Sequence, residues 1–115
     1  MAMNIQIFGT NKSFDTKKAQ RWFKERGIRF QMIDMKEKGM SRGEFDNVCR
    51  AVGGWAKLVD ENAKDKDTLA LLKWLDESQQ ADKLFEHQQL FRQPIVRNGR
   101  QATVGYCPEV WEKWE

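Results

Sequence analysis

Apolar and polar residues alternate in two short stretches of the first third of the chain. Residues 3–8 and 28–35 carry β-forming side chains at about every second position, a pattern typical of strands. Between them, apolar residues recur near helical spacing and predict a helix over 14–26 that ends at Gly27. Strand, helix and strand in this order predict a βαβ unit with parallel strands and a right-handed crossover. The apolar face of the helix is predicted to hold Phe14, Ala19, Trp22 and Phe23.

The middle of the chain predicts only helices. Ser41 and Glu44 have the spacing of a capping box, in which each side chain bonds the other residue's backbone N–H. A helix is therefore expected over about 42–51. Apolar spacing predicts another helix over 65–77 and a further short one over 82–89.

The last part of the chain predicts a hairpin followed by a helix. Strands are expected over 94–97 and 100–104, joined by a two-residue turn at Asn98-Gly99. Pro108 is suited to the first turn of a final helix. The whole chain, 1–115, is thus predicted to be one α/β domain.

The predicted order is β-α-β, then a helical insertion near 41–91, then β-β-α. This is a thioredoxin-like arrangement around a four-stranded mixed sheet. A chain of 115 residues has the usual size of one domain, and we expect a monomer.

Charge and cysteine content narrow the function. The net charge is only +3 and the two signs are interspersed, so direct nucleic-acid binding is not expected. The sequence shows no apolar run long enough for a membrane span and no signal region, so we expect a cytoplasmic protein without membrane contact. Cys49 and Cys107 are far apart, and His87 is the single histidine. No disulfide, metal site or resident cofactor is therefore expected.

The loop after the first strand is the most informative place for chemistry. The N-terminus of a helix offers unpaired N–H groups and a positive dipole end, which attract anions and lower the pKa of a thiol. In this chain Ser13 stands there, followed by Phe14. The commoner interpretation is that Ser13 or Asp15 is a simple N-cap, since capping residues are routine at helix starts. The Asp15 carboxylate also opposes anion binding.

Motifs along almost the whole chain resemble those of the ArsC/Spx family, which includes glutaredoxin-like arsenate reductases, Spx transcription regulators and uncharacterised relatives. The resemblance lies in Ile7-Phe8-Gly9, Lys17-Lys18-Ala19-Gln20-Arg21-Trp22-Phe23 with Gly27-Ile28, and Arg92-Gln93-Pro94-Ile95-Val96 through Val104-Gly105-Tyr106. It implies a glutaredoxin-like fold with a cis peptide bond before Pro94. A strand-start proline is the alternative interpretation.

The same resemblance implies that the reductase chemistry has been lost. The family's nucleophilic cysteine falls on Ser13, and the second cysteine of some members falls on Thr16. The three oxyanion-binding arginines of the reductases fall on Ala56, Gln93 and Cys107. A serine hydroxyl without an activating base is a poor substitute for a thiolate.

What remains is a predicted anion-binding set at the start of the first helix. Cys107 is a weak candidate for a relocated nucleophile, whereas a buried cysteine acting as a small apolar residue is commoner. Cys49 is expected to be in the core or partly buried, and His87 on the surface. Most tryptophans are expected in the core, and for Trp55 the core is favoured over an exposed position at a site. The predicted ligand-binding residues are Ser13, Phe14, Thr16, Lys17, Arg92, Gln93 and Pro94.

Three functions are open on this evidence. The first is a non-catalytic binding or regulatory protein that holds a small anion at Ser13 or contacts a protein partner. The second is an arsenate reductase or a glutathione-dependent thiol reductase or transferase, which needs Cys107 or bound glutathione as its sulfur source. The third is an Spx-like regulator that binds RNA polymerase, although Gln93 interrupts the basic pair that such regulators place before Pro94.

Overall fold

A computed structural model describes residues 3–114. Its four strands are β1 (Ile5–Gly9), β2 (Phe30–Asp34), β3 (Ile95–Asn98) and β4 (Gln101–Val104). They form one sheet in the order β2-β1-β3-β4. β1 is parallel to β2 and antiparallel to β3, and β3 is antiparallel to β4. The predicted α/β fold with a four-stranded mixed sheet is confirmed.

Five α-helices and two short 3₁₀ turns connect and cover the strands within the described residues. The helices are α1 (Phe14–Glu25), α2 (Arg42–Val52), α3 (Lys66–Trp74), α4 (Glu77–Glu86) and α5 (Pro108–Trp111). The 3₁₀ turns are Trp55–Leu58 and Gln88–Leu90. The predicted capping box at the start of α2 is confirmed, because Ser41 Oγ accepts from the Glu44 N–H and Glu44 accepts from the Ser41 N–H.

Each face of the sheet has its own core. On one face, α1 and α5 bring Trp22, Phe23 and Trp111 together in edge-to-face and tilted contacts. On the other face, α2 to α4 supply a mainly aliphatic core that includes Phe45 and Phe91, whose rings stack at 5.9 Å. The sheet therefore separates an aromatic layer from the layer formed by the helical insertion.

Two aromatic residues lie outside the positions that the sequence predicted. Phe14 is 76% exposed, because Thr16, three residues before Ala19, occupies the inward position of the first turn of α1. Trp74 is 87% exposed at the end of α3. Trp22, Trp111 and Trp114 are buried as predicted, and Trp55 is half-buried.

The boundary between α3 and α4 differs from the prediction. The predicted helix over 65–77 ends at Trp74, and the next begins at Glu77 rather than near 82. Leu75 and Asp76 are extended, and the Gln80 side chain donates to the Leu72 carbonyl (3.1 Å) at the end of α3. A contact between helices, rather than a glycine or proline, marks this break.

The hairpin turn lies one residue later than predicted. Asn98 pairs with Gln101, so Gly99 and Arg100 are the two central residues. Gly99 has a φ of +60° and Arg100 does not have a positive φ, which is the pattern of a type II′ turn. This turn needs glycine at its first central position, so Gly99 sets the register and Asn98 belongs to β3.

Candidate functional site

The site begins where β1 ends and α1 starts. Ser13 has an extended backbone, and its Oγ accepts a hydrogen bond from the Thr16 N–H (3.2 Å). The Ser13 N–H donates to the Thr10 carbonyl (3.1 Å), which closes the loop between β1 and α1. Ser13 is therefore the N-cap of α1, the simpler of the two interpretations of the sequence. Anion binding by Ser13 stays a prediction.

Gln93 lies directly across from this loop. Its Oε1 accepts hydrogen bonds from both the backbone N–H (2.8 Å) and the hydroxyl (3.1 Å) of Thr10. The Gln93–Pro94 peptide bond is cis, and the Pro94 carbonyl accepts from the Gly105 N–H (2.8 Å). At the position where the resemblance implies an arginine in reductases, this chain thus has a neutral amide that holds the β1–α1 loop in place.

Thr16 is enclosed rather than presented to solvent. Its side chain is fully buried and lies against Gly9, so closely that a Cβ built on Gly9 would be 2.4 Å from Thr16 Oγ1. This hydroxyl has no hydrogen-bond partner among residues 3–114. The absence of a side chain at Gly9 is what lets the first turn of α1 pack on the end of β1.

An open cleft of about 750 Å³ adjoins Ser13 and Gln93. Its far wall comes from the loop before α3. There Asp65 Oδ1 caps the helix by accepting from the Thr68 N–H (3.1 Å), and Asp65 Oδ2 accepts from the Gln89 side chain (3.1 Å). These hydrogen bonds, the largest contribution being that of Thr68, hold the pKa of Asp65 below its ordinary value. The cleft also contains three lysines: Lys12, Lys36 and Lys64.

The two thiols are poorly suited to nucleophilic attack. Burial is the main cause that raises the pKa of the Cys107 thiol, and Glu109 adds to it while Arg92 opposes it. Cys107 Sγ donates a hydrogen bond to the Val104 carbonyl (3.3 Å). Burial likewise raises the pKa of Cys49, which packs against the core under α2. Both sulfurs are therefore mainly protonated at neutral pH, and a thiol is a far weaker nucleophile than a thiolate.

The structure brings only some of the predicted residues to one place. Of the predicted ligand-binding residues, Ser13 and Gln93 are among the described residues that line the cleft. Phe14 and Lys17 are exposed on the first turns of α1. Arg92 does not line the cleft, and its guanidinium lies beside Gly105 and acts on Cys107. His87 ends α4, where its ring contacts the Gln89 side chain (3.3 Å).

Several cleft residues escaped the sequence analysis. Thr10, whose two donors Gln93 binds, was part of a loop without a specific motif. The cleft lysines come from three separate loops, so no local spacing marks them as a group. Asp65 stood at the start of a predicted helix. That position was the one feature of the sequence that could have pointed to the far wall of the cleft.

No group of three or more His, Cys, Asp or Glu side chains among residues 3–114 is placed to hold a metal ion. Within the same range, no helix has both the length and the apolar character needed to cross a bilayer.

Comparison with known proteins identifies the family. The model of the ArsC family matches residues 8–114. This chain belongs to the ArsC family. Among curated proteins it is similar to the global transcriptional regulator Spx 2 of Oceanobacillus iheyensis, with 27% identity over 90% of this chain and 78% of that protein. The family predicted from the motifs is thereby confirmed.

Solved structures of ArsC-related proteins share the fold. An ArsC family related protein from Bacteroides fragilis superposes with a TM-score of 0.83 at 23% identity, over 98% of both chains. An arsenate reductase from Vibrio cholerae gives a TM-score of 0.79 at 23% identity, over 96% of both chains. The predicted thioredoxin-like fold class is confirmed by this likeness, which at such identity concerns the fold alone.

Proposed function

We propose that this chain is a non-catalytic, cytoplasmic member of the ArsC family that binds a small anion at the start of α1. The observation that carries the proposal is the position of Ser13: a hydroxyl that caps α1 occupies the place at which the resemblance puts the nucleophilic thiol. With serine as the cap, the dipole of α1 is still present, but the sulfur that a nucleophilic cysteine would supply is absent.

The state of the thiols supports the absence of catalysis. Attack on an oxyanion or a disulfide requires a thiolate, and burial raises the pKa of both Cys49 and Cys107. Cys107 is also held by its hydrogen bond to the Val104 carbonyl. A relocated nucleophile would need the opposite electrostatic surroundings.

The start of α1 keeps the donors that an anion requires. In any α-helix the first N–H groups lack intrahelical partners, and here those of Phe14 and Asp15 lie beside the Ser13 cap. Lys12 and Lys17 on either side are exposed cations. Asp15 weakens the positive potential, so we expect weak binding of arsenate, phosphate or the carboxylates of glutathione.

A reductase assay tests the catalytic half of the proposal. Arsenate reduction with glutathione and glutaredoxin is measured for the wild type, for Ser13→Cys and for Ser13→Cys/Gln93→Arg. We expect no turnover by the wild type, and activity only where the thiol is restored. Turnover by the wild type that Cys107→Ser abolishes would establish the enzymatic alternative instead.

A titration tests the binding half. Backbone amide shifts of Phe14 and Asp15 are followed by NMR during addition of arsenate, with Ser13→Asp as the comparison. Aspartate caps a helix as well as serine does but adds negative charge, so it should preserve the fold and abolish the shifts. Identical shifts in both proteins would contradict anion binding at this place.

A protein-binding role is the second candidate, and the similarity to an Spx regulator over 90% of this chain favours it. The partner to test is the C-terminal domain of the RNA polymerase α-subunit. Retention of that domain by this chain, reduced by substitution of the exposed Phe14, would support such a role. No retention would dispose of it.

A further inference from the structure

A second concentration of positive charge lies at the other end of the sheet. Arg50 near the end of α2, Arg97 in β3 and Arg100 in the hairpin turn line a surface recess of about 750 Å³. Its other lining residues are small or neutral: Asn47, Ala51 and Gly99. We refer to Arg50, Arg97 and Arg100 as the arginine recess.

Arg97 is held in place by neutral groups. Its Nε donates to Asn47 Oδ1 (2.7 Å) and its Nη1 donates to Gln6 Oε1 (2.5 Å). The side chain is only 23% exposed, so these bonds fix a half-buried guanidinium in one orientation. Because amide oxygens carry no net charge, they position Arg97 without cancelling its charge.

One carboxylate pairs with an arginine of the arginine recess. Glu44 Oε2 lies 3.8 Å from Arg97 Nη1, beyond hydrogen-bond distance. The other oxygen of Glu44 accepts the Ser41 N–H (2.9 Å) in the capping box of α2. Glu44 is thus shared between the helix start and Arg97, and among residues 3–114 it leaves Arg50 and Arg100 without a carboxylate partner.

Arg50 and Arg100 are exposed, and among the described residues their side chains make no ion pair that would explain their positions. Within residues 3–114, neither Arg50 nor Arg100 forms an ion pair with an acidic side chain. Arg50 complements the dipole at the end of α2, but a type II′ turn has no need of arginine at the position of Arg100. Three elements nevertheless direct arginines to one recess.

We propose that the arginine recess binds a phosphate group, either as the free ion or as part of a phosphorylated small molecule. Guanidinium forks match tetrahedral oxyanions through paired N–H donors. Several arginines around one group favour a ligand with two negative charges over a singly charged carboxylate. The recess lies beside Asn98, which pairs with Ile5 at the start of β1, whereas Ser13 follows the end of β1. The two sites are therefore separate.

An NMR titration tests this proposal in the full chain. Sodium phosphate and glycerol phosphate are added at constant ionic strength, with acetate as the singly charged comparison, and the amides of residues 47–51 and 97–100 are followed. We expect saturable shifts with both phosphates and none with acetate. Equal affinity for the two identifies the free ion as sufficient, and tighter binding of the ester shows that the ligand is a phosphorylated molecule.

Substitutions that each remove one arginine charge distinguish specific binding at the arginine recess from general electrostatic attraction. Arg100→Gln and Arg50→Gln alter exposed side chains and should each weaken phosphate binding at least about fivefold, since each removes a charge-assisted donor pair. Arg21→Gln removes the same charge from the exposed surface of α1 and should leave the affinity unchanged. Shifts that never saturate, that acetate reproduces, or that Arg21→Gln weakens equally would overturn the proposal. The amides of Phe14 and Asp15 report the Ser13 site in the same spectra, so each site fails or holds by itself.

Discussion

The two ends of β1 use polar groups in opposite ways. At the Gly9 end, the polar donors bond other groups of the same loop region. The Thr16 N–H donates to Ser13 Oγ, and the N–H and the hydroxyl of Thr10 both donate to Gln93 Oε1. At the Ile5 end, Arg97 is positioned by two amide oxygens and lies 3.8 Å from one carboxylate, that of Glu44. The hydrogen bonds at the Gly9 end thus close a loop of the chain, whereas those at the Ile5 end orient a charged side chain.

The sharpest test of the Gly9 end is Gly9→Ala. The added Cβ would lie 2.4 Å from Thr16 Oγ1 and 3.1 Å from Thr16 Cβ, and a β-branched residue on a helix cannot easily turn away. We expect a loss of about 2–3 kcal/mol in the free energy of unfolding, measured by urea denaturation. Adding Thr16→Ala should recover part of the loss.

Gly43→Ala is the matched control for that substitution. A Cβ at Gly43 in α2 would meet nothing within 4 Å, and alanine favours a helix over glycine. The control should be at least as stable as the wild type. Equal destabilisation by both substitutions would show that the Gly9–Thr16 contact is not what matters.

The Ile5 end is tested by changing Asn47, which accepts from Arg97 and also donates to the Arg100 carbonyl (3.4 Å). Asn47→Ala should cost about 1–2 kcal/mol of stability because the Arg97 Nε–H loses its acceptor. Asn47→Asp keeps an acceptor oxygen and should retain most of the stability. Its charge should nevertheless weaken phosphate binding, and calorimetry of both variants separates the two effects. A phosphate affinity unchanged in Asn47→Asp would argue against the arginine recess as the site.

Ser13→Ala should have a smaller effect on stability. Loss of an N-cap side chain costs roughly 1 kcal/mol, and the Thr16 N–H is the group that loses its partner. Thermal unfolding measures the change, with Ser13→Asp as the capping-competent control. Should Ser13→Asp unfold as readily as Ser13→Ala, capping would not account for the role of this residue.

The smallest effect on stability is expected for Asp65, which lies in the far wall of the cleft. Hydrogen bonds from Thr68 and Gln89 lower the pKa of Asp65 in the folded protein, so its contribution is present above the ordinary pKa and disappears as the pH falls through the lowered value. The stability difference between the wild type and Asp65→Ala should therefore narrow below about pH 4. A difference that stays constant from pH 7 to pH 2 would exclude a contribution from the carboxylate charge.

Local sequence signals predicted most of the fold. The alternation before Gly9 and after Gly27, the Ser41–Glu44 capping box and the glycine of the hairpin each act within a few residues. The break at Leu75 escaped prediction because Gln80 closes α3 from a neighbouring helix. Phe14 was misplaced because Thr16, a polar residue, takes the inward position.

The sequence pointed to Ser13 and, through the family resemblance, to Gln93, but not to the residues that surround them. Ser13 follows a strand and begins a helix, which is a pattern that a sequence can show. The pairing of Thr10 with Gln93 joins residues 83 positions apart, and the arginine recess joins a helix, a strand and a turn. Such sites arise from the sheet register, which no spacing along the chain reveals.

The position of β1 inside the sheet has a consequence for how the protein is made. One edge of β1 pairs with β2, which follows within about thirty residues. On the other edge, Ile5 can pair only after Asn98 has been synthesised. At usual rates of translation that interval lasts roughly 5–20 s. During this time an apolar strand with one unpaired edge is a template for wrong pairing with another nascent chain.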